Sequence, residues 1–183
     1  MRHLVILGVL CLSMNQALAQ ASYSTSSRKA IKLYQESEVL LKQRRFTEGV
    51  IKLQDAVARD NDFIEAHLRL AYTFDIMKKA NAQQYHLEQV VRIAPNSTKY
   101  KNVYYSLSRV YFNQGFYDLA WEMLETLNTL GIDNPRMKTE ADVLTRNIEF
   151  ARENMLYPLD IRPEPMPGIL NSFPLQYFPV LTA

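Results

Sequence analysis

Two histidines and a few carboxylate pairs are the side chains of this sequence with chemistry to offer. His67 and His86 are metal-ligand types, but they stand 19 residues apart on different helical segments. No carboxylate recurs beside either at the i+3 or i+4 spacing by which helices assemble a zinc set. His67 also falls on an apolar helix face, where it reads as a packing residue. Glu122 with Glu125, and Glu140 with Asp142, are candidate acid–base pairs, yet both read as solvated helix faces. The sequence contains no G-x-S-x-G, no Walker A loop and no G-x-G-x-x-G fingerprint. It therefore predicts a protein that is not an enzyme and takes no cofactor, metal or small-molecule substrate.

The one cysteine, Cys11, belongs to a targeting segment. Arg2 and His3 form a short polar head, Leu4 to Leu12 is apolar, and Ala17-Leu18-Ala19 supplies the small residues of a cleavage site. Residues 1–19 are expected to be a signal peptide, with Gln20 first in the exported chain. The apolar run is far shorter than the about 20 residues that cross a bilayer as a helix. Leu10 precedes Cys11 where a lipoprotein signal has Gly, Ala or Ser, so no lipid is expected. Without Cys11 the mature chain offers no disulfide and no thiolate, which fits an exported compartment, and the leader makes a periplasmic location the expectation. With 21 basic and 19 acidic side chains the net charge is +2, falling to +1 once Arg2 is removed. There is no basic field for nucleic acid or an anionic membrane.

What positions these residues is an internal repeat. His67, Leu70, Ala71 and Phe74 fall at i, i+3, i+4 and i+7, one buried helix face. Leu87 and Val90 continue on a second helix, which Pro95 stops. Leu33, Ser37 and Leu40, then Gly49, Leu53 and Ala56, state the same phrase earlier, with Glu36 in an apolar slot and Asn61 in the proline slot. Tyr104, Leu107, Ser108 and Tyr111 state it again, followed by a Gly115 turn and by Ala120, Leu124 and Leu127. Thr98-Lys99-Tyr100 is an insertion before this third copy. Ser37, Ala71, Ser108, Gly49 and Ala120 are small enough to let paired helices approach closely. Close packing is what offsets the cost of Gly49 inside a helix, about 1 kcal/mol relative to alanine. A seventh helix over 136–154, with Ala141, Leu144, Thr145, Ile148 and Ala151 at helical spacing, is expected to close the array with a polar outer face.

From Ala30 to Leu130 this pattern resembles the tetratricopeptide repeat, two antiparallel helices over about 34 residues with the signature W-x2-L-G-x2-Y…A-x3-F…P. Gln83 holds a slot where that family has alanine. The resemblance implies an all-α fold: a right-handed solenoid of three helix pairs plus a capping helix over 28–154, followed by a Pro-rich extended tail. It also implies a concave groove, lined by one face of each first helix, that holds an extended peptide. The positions on that face form the expected partner-binding set: Tyr34, Glu38, Arg69, Tyr72, Asp75, Tyr105, Arg109 and Phe112, with Leu41 and Leu68 beside them. Arg69 and Arg109 would meet an acidic or carbonyl-rich partner, with Glu38 and Asp75 setting polarity. The alternative for Tyr105 and Phe112 is packing against the capping helix. Chaperone-binding relatives clamp a terminal carboxylate with Lys and Asn. Tyr34, Glu38, Arg69, Asn102 and Ser106 stand at the corresponding places, so that ligand class is not expected.

The stretch 155–183 is rich in proline and ends in "PGILNSFPLQYFPVLTA". Asn171-Ser172, Tyr177-Phe178-Pro179 and Leu181-Thr182 resemble a junction in exported proteins of the Bacteroidetes type. Those join a tetratricopeptide domain to a PD40 (WD40-like) β-propeller and often to an OmpA-like domain. The resemblance implies a linker and the start of a propeller that the chain lacks, a natural tail being the alternative. Some members of that group serve type IX secretion. The function expected is thus a non-catalytic scaffold of the periplasm or cell envelope, outer-membrane associated. Its partner would be an envelope protein or the missing propeller. The alternative is a structural spacer with no peptide ligand.

Overall fold

Seven α-helices make up the computed structural model, which describes residues 23–157: α1 Arg28–Lys42, α2 Phe46–Arg59, α3 Ile64–Ile76, α4 Ala80–Ile93, α5 Asn102–Asn113, α6 Tyr117–Leu130 and α7 Pro135–Leu156. The expected signal peptide and the Asn171–Thr182 junction lie outside the described residues. Residues 155 and 156, assigned to the linker from sequence, are the last of α7. No strand occurs among the described residues.

The turn inside each pair is built the same way three times. Arg44, Lys78 and Gly115 all take left-handed backbone, at φ 59, 57 and 81°. In each, the next N–H reaches back to a carbonyl of the helix end: Arg45 to Leu40 at 3.0 Å, Lys79 to Phe74 at 2.9 Å and Phe116 to Tyr111 at 2.9 Å. This bonding satisfies helix-end carbonyls that would otherwise be orphaned. The second helix then starts two residues later. Glycine takes this backbone without strain, whereas arginine and lysine carry a Cβ against it.

Packing is heaviest within the pairs α1–α2, α3–α4 and α5–α6, and each pair also packs on the next element along the chain. The small residues do what their size allows. Ser108, fully buried, donates from Oγ to the Ala120 carbonyl across the α5–α6 seam at 2.7 Å. At Gly49 an added Cβ would stand 2.6 Å from Leu41 Cδ2, so any larger residue there would force the Leu41 side chain to move. That contact corrects one sequence expectation: Leu41, placed beside the groove, is buried against α2, while Leu40 is half-exposed. Glu36, in its apolar slot, is held by Lys52 at 2.8 Å.

Two structural additions fasten the array. Ser24, before α1, supplies the cap that α3 lacks: its Oγ accepts from Ile64 N at 2.8 Å and donates to Glu65 Oε2 at 2.7 Å. The inserted Tyr100 donates to the other Glu65 oxygen at 3.0 Å. Burial pushes the Glu65 carboxyl up, but these bonds, led by those from Ser24, hold it below the usual range. At the far end, α7 starts on an Asn134 cap with Pro135 behind it and buries Ala141, Leu144 and Ile148. Its outer face is not polar throughout, since Val143, Phe150, Met155 and Leu156 are exposed.

Candidate functional site

On α3, Leu68, Tyr72 and Asp75 follow at i, i+4 and i+7, which puts them on one face. On α5, Asn102, Ser106, Arg109 and Asn113 do the same. Between these faces lies a cavity of about 260 Å³ lined by both sets. A second cavity, about 320 Å³, opens between α5 and α7, lined by Tyr105, Arg109, Glu140, Val143 and Asn147. Arg109 borders both. It is exposed, forms no ion pair among the described residues, and its guanidinium carbon lies 5.9 Å from the Tyr105 ring centre.

The eight residues expected in the groove separate into three settings. Tyr72, Asp75, Tyr105 and Arg109 line the cavities; Tyr72 is 58% exposed. Glu38 and Arg69 face each other: Arg69 Nη2 donates to Glu38 Oε2 at 3.0 Å, and Nε lies 2.6 Å from Oε1. Arg69 also lies over the Tyr72 ring, at 5.6 Å. Tyr34 and Phe112 line neither cavity. Tyr34 packs on Tyr23 and Phe63, ring centres 5.6 and 5.3 Å away, and burial followed by Glu38 pushes its phenol up to about 12. Phe112 packs on Tyr117 of α6 at 5.6 Å.

Contact of Tyr105 with the capping helix, the alternative the sequence offers, does occur. That helix, α7, also brings Val143 and Asn147, four apart on the face next to the buried one, which the sequence reading did not name. Tyr105 reaches that helix, donating from its hydroxyl to Glu140 at 3.3 Å. Burial and then the Glu140 charge raise the Tyr105 phenol pKa, while the Arg136 hydrogen bond holds Glu140 below the usual carboxylate range. Glu140 and Asp142 pair with Arg136 and Lys138 one turn away, and Glu122 and Glu125 are exposed. Neither carboxylate pair shares a proton-transfer geometry.

The two histidines do meet. Both are buried, and their Nδ1 atoms are 2.9 Å apart between α3 and α4. His67 Nε2 lies 3.0 Å from the Asn61 carbonyl, which can only accept, so His67 carries its proton there. Its Nδ1 then accepts from His86 Nδ1–H. Burial lowers both pKa values, His86 to about 4, with His67 adding to the shift. His86 also stacks on Phe74 with an interplanar angle of 9°. This is a packing arrangement of neutral rings.

No protein-family model and no curated protein matches the chain. Solved structures do. The first tetratricopeptide domain of Spaghetti (RPAP3), bound to the HSP90 peptide SRMEEVD, matches with a TM-score of 0.58 at 19% identity, over 70% of this chain and 97% of that one. The Yersinia enterocolitica secretion chaperone SycD, in complex with a peptide of the translocator YopD, gives 0.59 at 12% identity, covering 69% and 97%. The Sgt2 domain of Aspergillus fumigatus gives 0.59 at 16%, covering 79% and 96%. These likenesses carry the fold: the described residues form an all-α tetratricopeptide-repeat solenoid, three helix pairs closed by a seventh helix.

Proposed function

We propose that this chain is an exported, non-catalytic protein-interaction module of the cell envelope. Its concave face receives an extended segment of a partner protein. The observation that carries this reading is Arg109, an exposed arginine without an ion-pair partner among the described residues, set between two cavities beside Tyr72, Asp75 and Tyr105. An extended peptide crossing α5 would place an acidic or carbonyl group on Arg109 and a side chain in each cavity. Arginine and aromatic residues supply most interface energy. The Glu38–Arg69 pair, Tyr34 and Phe112 stand outside both cavities and hold the helices that carry them. Two structures of like fold, the RPAP3 domain and SycD, are peptide complexes, which supports peptide capture as the use of this face. The leader-like residues 1–19 support export, and the junction motif near the C-terminus supports service in an envelope assembly, of which a type IX secretion complex is one.

Selection of displayed peptides on the full chain tests this. Peptides of one recurring pattern should emerge, and Tyr72→Ala with Arg109→Ala should weaken them about 30-fold or more, the equivalent of one hot spot of about 2 kcal/mol. The melting temperature should barely move. Selected peptides that bind the double variant equally well would refute the groove reading.

A further inference from the structure

A cavity of about 590 Å³, roomier than either in the groove, opens between the first turn of α6 and the last turns of α7. Its apolar walls are Phe116, Leu119, Met155 and Leu156, between 42% and 73% exposed. Of the charges at its edge, Arg152 and Asp118 are matched within the fold, and Glu153 forms no ion pair among the described residues. Arg152 Nε lies 2.8 Å from Asp118 Oδ1, and its guanidinium covers the Trp121 ring at 5.1 Å. An exposed apolar hollow whose one unmatched edge charge is acidic suits an uncharged apolar occupant.

The chain carries an occupant of that kind. Helix α7 ends at Leu156, on the wall of this cavity, and the sequence continues to Ala183. From Pro165 to Ala183 no residue is charged, and the stretch includes Phe173, Leu175, Tyr177, Phe178 and Leu181. The covalent link presents it to the cavity at an effective concentration of about millimolar, against which a free partner must compete. We propose that residues 165–183 dock in the cleft between the α6 start and the α7 end. The docked stretch covers Phe116, Leu119 and Met155.

The test uses the full chain with Cys11→Ser and a nitroxide attached through Ser172→Cys. Paramagnetic broadening of backbone amide signals should be strong at Phe116, Asp118 and Leu119. It should fall severalfold when Leu119→Asp and Met155→Asp are added. A stretch that is merely tethered nearby would broaden those amides equally in both chains, which overturns the proposal. Broadening centred on Tyr72 and Arg109, or growing with protein concentration, overturns it as well. If circular dichroism shows that the aspartates unfold the chain, Phe173→Ser with Phe178→Ser carries the same expectation from the other side of the contact.

Discussion

Arg69 and Glu38 hold each other by two points across α1 and α3. Nη2 donates to one carboxylate oxygen at 3.0 Å, and Nε faces the other at 2.6 Å without hydrogen-bond alignment. Both side chains are only 27% exposed. This contact joins the first repeat to the second and engages Arg69, whereas Arg109 forms no ion pair among the described residues.

The pair therefore belongs to stability. Arg69→Ala and Glu38→Ala should each cost about 1–2 kcal/mol, because each strands a partly buried partner. The double variant should cost less than the sum, with a coupling of about 1 kcal/mol. Urea denaturation of the four chains measures this, and strict additivity would show that the contact contributes nothing.

The repeated turn makes a second prediction. Lys78→Gly, in the slot that Gly115 fills, should relieve left-handed strain and raise Tm by about 2–4 °C. Gly115→Ala should lower it. An added Cβ at Gly115 meets nothing within 4 Å, so any loss there comes from the backbone alone. Calorimetry on both variants checks the pair of signs.

The buried histidines predict acid sensitivity. Their folded pKa values lie below the ordinary value of about 6.5, so protons bind the unfolded chain more readily. Stability is thus full above about pH 6.5 and falls as the pH drops toward 4, where the His86 contribution has been lost. For His86 the loss amounts to about 3 kcal/mol. Asp62 and Arg92 near His67 act in opposite directions and leave the sign unchanged. Tm measured from pH 7.5 to 4.5 should show this limb, and His67→Leu with His86→Leu should flatten it.

The helical faces were legible because burial on a solenoid follows a 3.6-residue period. His67, Leu70, Ala71, Phe74, Leu107, Ser108 and Ile148 were all readable before any coordinates, and all are buried. Spacing alone misjudged Leu40 against Leu41. Leu41, one position on, fills the space beside Gly49 of α2 and is the residue buried there. Close approach within the helix pairs was legible at Gly49, Ser108 and Ala120, but the polar contacts between helices were not. The sequence shows His67, His86, Glu38 and Arg69 as separate positions, and only the packing of α3 on α4, and the approach of Arg69 on α3 to Glu38 on α1, brings them together in pairs. The groove residues were found as positions on a face. Which of them stay open depended on that same packing.

We propose that the face between α3, α5 and α7 receives a peptide. The most direct measurement is backbone amide shift mapping of the full chain titrated with a peptide selected on it. The account predicts shifts concentrated at Leu68, Tyr72, Ser106, Arg109 and Asn147, and largely lost in Arg109→Ala. Shifts confined to α2, α4 and α6, or unchanged in that variant, would contradict it.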